Sequence, residues 1–126
     1  IDSGGTAIST SFAMSRFSGA GVIAVNIINV GGSSQITLTT TTGFSSTLTW
    51  NHIALTKSGT TFRLFVNGIL EDTNTLSSVN ASTRPFTIGR LGDSGTGFSA
   101  RIDEFRLSVG TARWTANFTP PVAAYS

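Results

Sequence analysis

The clearest pattern in the chain is an alternation of side chains over residues 62–68. It places Phe62, Leu64 and Val66 on one face of an extended chain and Arg63, Phe65 and Asn67 on the other. A period of two is what a half-buried strand requires. The pair Asn67-Gly68 then favours the positive φ angles of a tight hairpin turn. This segment therefore predicts two antiparallel strands joined by a two-residue turn.

Similar patterns predict strands along most of the chain and at most one short helical turn, over residues 110–115. Strands are predicted over residues 7–16, 22–30, 35–40, 52–57, 62–66, 69–76, 84–90 and 98–109. The apolar positions of these strands predict a buried core that includes Ile53, Leu55, Phe62, Leu64, Val66, Ile88, Phe105 and Leu107. We expect an all-β fold in which two antiparallel sheets pack face to face.

Composition narrows the class of protein. A chain of 126 residues is most simply one domain. Only 11% of the residues are charged, against about 25% in typical globular domains, which favours an extracellular or virion-exposed protein. The absence of cysteine excludes disulfides and thiolate metal sites. The arginines are scattered along the sequence, which argues against nucleic-acid binding. No apolar run is long enough to predict a membrane span.

Three motifs together resemble one large family. They are Trp50-Asn51-His52-Ile53-Ala54, residues 62–68, and residues 97–121, GFSARIDEFRLSVGTARWTANFTPP. In this order and spacing they resemble the concanavalin A-like, laminin G-like jelly-roll family over about two-thirds of the chain. The resemblance implies a two-sheet antiparallel jelly-roll sandwich as a single domain over 1–126, with 119–126 as an extended exit segment. It also implies earlier strands, which we expect to come from residues outside this sequence or from another chain.

Five residues of these motifs are interpreted as structural: Trp50, His52, Asp103, Trp114 and Phe118. His52 is the only histidine, so a catalytic triad or histidine metal cluster cannot be built within the chain. We expect Asp103 to accept backbone N–H bonds or to pair with an arginine. The two C-terminal aromatic rings should anchor the chain to the sandwich edge. The alternatives are proton transfer by His52, a glycan or cation site at Asp103, and sugar stacking on the rings.

The carboxylates argue against an enzyme. Glycosidases need two carboxyl groups across a cleft, and glucanases of this superfamily carry them at alternating positions of one strand. Here the acids form the adjacent pairs Glu71-Asp72 and Asp103-Glu104. Adjacent residues of a regular strand point to opposite faces, so neither pair is expected to form a catalytic dyad.

Ligand binding, if present, is expected on loops. Asp93 lies in the glycine-rich loop 92–97, Asn80 in the loop 77–82, and Phe98 is the nearest aromatic residue. A carboxylate and an amide can hydrogen-bond vicinal sugar hydroxyls beside an aromatic face. Calcium, a frequent cofactor of the family, would use Asp93, although no cofactor is required. The alternative is that the glycine-rich loop 92–97 is only a turn and binds no ligand.

The function that this reasoning favours is a non-enzymatic surface or adhesion module. It would belong to a virion, as a phage tail, fibre or capsid decoration, or to a bacterial surface protein, and would bind glycans or a host surface. Its expected partners are other virion or surface chains, including copies of itself. The alternatives are a purely structural virion domain without a ligand and a glycoside hydrolase.

Overall fold

The structure is a computed structural model that describes residues 12–16, 21–28, 35–44, 49–79, 88 and 101–123. The described residues form two three-stranded antiparallel sheets and contain no helix. The first sheet has the order β1-β2-β3 and the second the order β4-β5-β6. The strands are β1 Phe12–Arg16, β2 Ile23–Ile28, β3 Gln35–Thr39, β4 Ile53–Ser58, β5 Thr61–Val66 and β6 Ile69–Thr75. The all-β, two-sheet prediction is confirmed.

The turns of the second sheet follow from local chemistry. Asn67 and Gly68 have φ angles of 50° and 82° and connect β5 to β6, where Val66 pairs with Ile69. Positive φ at both central residues is the requirement of the hairpin turn that asparagine and glycine favour. Gly59, with φ 58°, serves the turn between β4 and β5. The two antiparallel strands predicted around the Asn67-Gly68 turn are thus confirmed, and β4 pairs with β5 on the other side.

One hydrophobic core lies between the two sheets. The register places Val25 opposite Leu38 in the first sheet and Leu55 opposite Leu64 in the second. The buried cluster consists of Val25, Ile27, Leu38, Phe62, Leu64 and Leu76. Of the predicted core residues, Phe62, Leu64 and Val66 are buried, whereas Ile53 and Leu55 are half-buried at its margin.

The two sheets also meet along the edges of β3 and β6, where side chains of β6 bind the backbone of β3. The Asp72 carboxylate accepts a hydrogen bond of 2.8 Å from the Thr39 amide, and the Asn74 amide donates one of 3.4 Å to the Thr37 carbonyl. An edge strand exposes unpaired backbone groups, and here polar side chains satisfy two of them. We call this contact the β3–β6 seam.

Residues 101–109 do not form the predicted last strand. Phe105 and Leu107, predicted to be buried, are 54% and 66% exposed, and Ile88 is 48% exposed. The alternating pattern tells which side chains share a face, but burial also requires a surface against that face. Among the described residues no strand pairs with this stretch. The expected helical turn at 110–115 is also absent. The predicted strand over 84–90 lies almost wholly outside the described residues.

Candidate functional site

Four rings form an aromatic cluster on the face of the second sheet opposite the core. The cluster consists of His52, Phe65, Trp114 and Phe118. Trp114 and Phe118 are stacked, with ring centroids 4.0 Å apart and planes inclined by 6°. His52 meets both rings edge-on at 5.6 Å. Phe65 lies completely buried beneath Phe118, at 5.4 Å between ring centroids.

Residues 114–120, which we call the strap, bring two of these rings to the sheet. Among the described residues, three hydrogen bonds hold the strap. The Phe118 amide donates to the Gly68 carbonyl at 2.9 Å, and the Thr56 hydroxyl donates to the Trp114 carbonyl at 2.9 Å. The Leu70 amide donates to the Asn117 side-chain oxygen at 2.8 Å. The strap is therefore anchored to β4, to the turn between β5 and β6, and to β6.

Gly68 allows the strap to approach the hairpin. A Cβ atom at this position would lie 3.0 Å from the Phe118 carbonyl carbon and 3.0 Å from the Pro120 ring, and it would collide with the Phe118 carbonyl oxygen. Its φ of 82° is also one that residues with side chains rarely adopt. Gly68 thus serves both the turn and the docking of the strap, and only the first role follows from the sequence.

His52 is fixed at the hairpin by its backbone. Its amide donates to the Asn67 side-chain oxygen at 2.9 Å, and its carbonyl accepts from the Asn67 amide at 2.8 Å. Burial lowers the pKa of His52 below its ordinary value because desolvation disfavours the charged imidazolium. A neutral ring packed against two aromatic side chains is what a structural histidine would show. The absence of a catalytic role stays a prediction.

Glu71 extends the β3–β6 seam beyond the end of β3. Its carboxylate accepts hydrogen bonds from the amides of Thr41 and Thr42, at 2.7 and 3.0 Å, and from the Thr42 hydroxyl. Burial raises the pKa of Glu71, but the hydrogen bonds from Thr42 and Thr41 outweigh it and hold the pKa below its ordinary value. These bonds favour the ionised form. The ionised side chain of Glu71 therefore holds residues 41 and 42, which follow β3, against β6.

A bulge explains why Glu71 and Asp72 bind the same stretch of chain. The register passes from Leu64 opposite Asp72 to Phe65 opposite Leu70, which leaves Glu71 as an extra residue in β6. An extra residue bends the strand and re-aims its side chains. The expectation that this adjacent pair points to opposite faces assumed a regular strand and is wrong here.

The other predicted site residues lie outside the aromatic cluster. Asp103 is exposed and accepts the amide of Glu104 at 2.8 Å, one of the two kinds of bond expected for it. Trp50 is 65% exposed. Asp93, Asn80 and Phe98 lie outside the described residues.

Sequence reasoning missed three residues that build the cluster: Phe65, Gly68 and Asn117. Phe65 carried one usable signal, because its alternation with Leu64 and Val66 put a large aromatic side chain on the face opposite the core. A buried aromatic residue on that face implies that another part of the chain covers it. Asn117 and the second role of Gly68 carry no signal of this kind, since both depend on a contact between distant segments.

The described residues contain neither a metal-binding cluster nor a membrane-spanning helix. No group of three or more His, Cys, Asp or Glu side chains in this part of the chain is arranged to hold a metal ion. No helix in it is long and apolar enough to cross a membrane. The expected calcium ligand Asp93 lies outside the described residues.

Comparison with known proteins identifies the family. A crystal structure of residues 221–444 of an S-layer domain-containing protein from Clostridium thermocellum ATCC 27405 is 20% identical, with a TM-score of 0.39. The match covers 79% of this chain and 48% of that one. No curated protein matches the chain. A laminin G-type family model, described as the concanavalin A-like lectin/glucanases superfamily, matches residues 1–113. The match covers most of the 126 residues, so the chain belongs to the laminin G-type family of this superfamily.

Proposed function

We propose that the chain is a non-enzymatic surface module that binds glycans or a host surface. It would be displayed on a virion, as part of a tail, fibre or capsid decoration, or on a bacterial cell, alongside other surface chains. The observation that carries the proposal is membership in a superfamily that includes lectins. The same superfamily includes glucanases. The contacts of the described carboxylates therefore bear on the choice between binding and hydrolysis.

The bonds made by these carboxylates argue against a role for them in hydrolysis. Glu71 and Asp72 accept hydrogen bonds from the backbone of residues 39–42. A glycosidase needs a carboxyl pair about 5–9.5 Å apart across a substrate cleft, with one group free to transfer a proton. Glu71 and Asp72 would have to release the β3–β6 seam to act in this way. Asp103 lies in a fully exposed stretch and bonds to its own neighbour.

The proposed ligand site consists of Asp93, Asn80 and Phe98. This part of the proposal is carried by the sequence, since these residues lie outside the described ones. Loops carry recognition on a rigid β scaffold, and the two described sheets share a single core that would support such loops. The carboxylate and the amide would bond sugar hydroxyls, Phe98 would offer an apolar face, and Asp93 would be the calcium ligand if calcium takes part.

The test compares binding by Asp93→Ala with binding by Asp103→Ala. Both variants remove one aspartate, but Asp103 is exposed and bonds only locally among the described contacts. Wild type and both variants are applied to a glycan panel and to whole host cells, with and without a calcium chelator. The proposal expects a loss of binding of at least tenfold for Asp93→Ala and wild-type binding for Asp103→Ala.

The other outcomes separate the alternatives. Equal binding by all three proteins, with and without chelator, would remove Asp93 and calcium from the mechanism. A wild type that binds nothing across the panel or on cells would favour a purely structural virion domain. Release of reducing ends from bound glycans would identify a glycoside hydrolase.

A further inference from the structure

The strap follows an exposed stretch of the described chain. All residues from 101 to 110, which we call the hinge, are exposed. We propose that the strap leaves its own sheet and docks on the same face of a second copy of the chain, so that two copies exchange straps. This inference concerns assembly and does not depend on the proposed ligand binding.

The strap contacts would form equally well between two copies. Trp114 and Phe118 reach His52 and Phe65 through ring contacts. The hydrogen bonds of the strap go to β4 and to the β5–β6 hairpin. Each of these contacts joins the strap directly to the second sheet, and none passes through the hinge. Exchange of an identical element therefore preserves them, which makes it a low-cost route to a dimer.

The hinge is strained in the single chain. Glu104 has a φ of 53°, in the left-handed region that favours glycine and asparagine. The other described non-glycine residue with positive φ is Asn67, which occupies a turn that asparagine suits. Glutamate is not one of the residues that favour this region. Strain in a hinge loop promotes exchange because an extended hinge relieves it.

The hinge also has apolar side chains that a second copy would cover. Phe105, Leu107 and Val109 alternate and are 54%, 66% and 88% exposed. Their pattern is that of a half-buried strand, as the sequence predicts. Extended hinges from two exchanged copies lie beside each other and run antiparallel, so they can pair as a two-stranded ribbon. Pairing removes part of this exposed apolar surface from water, which favours the exchanged dimer.

Charge complementarity selects a register for this ribbon. In such a ribbon the two copies are related by a two-fold axis perpendicular to the sheet, which leaves every side chain on the same face. Residues directly opposite each other also share a face, and faces alternate along the chain. The numbers of two opposed residues must therefore add up to an even number. With the axis at Phe105, Glu104 lies opposite Arg106 twice and the two Phe105 rings meet. Opposite charges and aromatic pairs directly across a ribbon are stabilising. With the axis at Glu104, two like charges would face each other.

Two complementary variants test the exchange. Gly68→Ala blocks the docking face but keeps the strap, because the added Cβ occupies the position of the Phe118 carbonyl. Trp114→Ala/Phe118→Ala keeps the docking face but removes the rings of the strap. Neither variant can form the strap contact alone, whereas a mixture can form it once between unlike chains. The variants are refolded from urea separately and together, and their masses are measured by light scattering and native mass spectrometry.

The proposal expects each variant alone at the 13.1 kDa of one chain and the mixture at twice that mass, with one copy of each variant. A mixture that stays at the mass of one chain would overturn it, whatever the wild type does. Circular dichroism checks that both variants fold. Gly59→Ala is the matched control, because Gly59 has a similar positive φ but open space around its Cβ.

A measurement on the wild type keeps the proposal testable if a variant does not fold. Wild-type mass is followed with rising concentration, and a peptide of residues 111–123 is then added in excess. The proposal expects a concentration-dependent dimer that the peptide dissociates, while a peptide with alanine at 114 and 118 has no effect. A wild type at the mass of one chain at every concentration, or a dimer that is insensitive to the peptide, would overturn it.

Discussion

Replacement of Gly68 by alanine should destabilise the domain more than the same change at Gly59. Both glycines have positive φ, at 82° and 58°, so both substitutions carry the backbone cost of about 1–2 kcal/mol for a left-handed residue with a side chain. Open space surrounds the position of a Cβ at Gly59, whereas at Gly68 it meets the Phe118 carbonyl and Pro120. The difference between the two variants therefore measures the docking of the strap.

The size of that difference follows from the contacts that Phe118 makes. Its ring meets the rings of His52 and Phe65 outside the strap, and aromatic pairs contribute about 0.5–1.5 kcal/mol each. Its amide bonds the Gly68 carbonyl, which adds about 0.5–1.5 kcal/mol. The strap can undock rather than force the clash, so its docking energy limits the loss. We expect Gly68→Ala to cost about 2–4 kcal/mol more than Gly59→Ala.

Urea unfolding followed by circular dichroism gives the two free energies of unfolding. Tryptophan fluorescence reports the environment of Trp114 when the other tryptophan, Trp50, is replaced by Phe in every protein compared. For a domain of this size a difference of about 2 kcal/mol corresponds to roughly 6–10 °C in Tm. Equal losses in the two variants would refute the reasoning, because they would show that the strap contributes nothing beyond the turn. Exposure of Trp114 in Gly68→Ala but not in Gly59→Ala would support it.

Two further predictions concern His52 and Glu71. His52→Gln should lower the free energy of unfolding by about 1–2 kcal/mol through lost ring packing, with ligand binding retained; selective loss of binding at unchanged Tm would indicate a functional histidine. Because burial lowers its pKa, the stability that depends on neutral His52 is complete above pH 6.5 and is lost as the pH falls through the folded-state pKa, and the glutamine variant should lack this step. Glu71→Gln should cost about 1–2 kcal/mol, since an amide accepts fewer hydrogen bonds from Thr41 and Thr42, whereas Glu104→Gln in the exposed hinge should cost less. The pKa of Glu71 is also lowered, so the stability that ionised Glu71 contributes is complete above pH 4.5 and is lost as the pH falls through the folded-state pKa. Urea unfolding at a series of pH values checks both steps. If the free energy of unfolding of both variants fell with pH as it does in the wild type, both predictions would be contradicted.

The sequence predicted those parts of the fold that depend on neighbouring residues. The alternation over 62–66 and the Asn67-Gly68 turn are confirmed because period and turn chemistry are local. The bulge at Glu71 was missed, since no glycine or other turn residue marks it. The hinge was predicted as a buried strand because it has the pattern of one, but the pattern does not reveal whether a partner strand is present.

The candidate site was predictable only in part. The strap was identified from its aromatic residues and prolines, and the structure brings Trp114 and Phe118 together with His52. The buried position of Phe65 and the missing Cβ at Gly68 become significant only once the strap is placed on the hairpin. Trp50 had the same motif-based interpretation as His52 and lies 65% exposed, because a motif does not tell which of its side chains another segment will cover.

The central claim is that this domain binds a surface ligand without cleaving it. The most direct measurement incubates the wild-type chain with immobilised glycans and host-surface preparations, and quantifies retained protein and released reducing ends in the same wells. The account predicts saturable retention on at least one surface, with no reducing ends released above those from a well without protein. Release of reducing ends, or no retention on any surface, would contradict it.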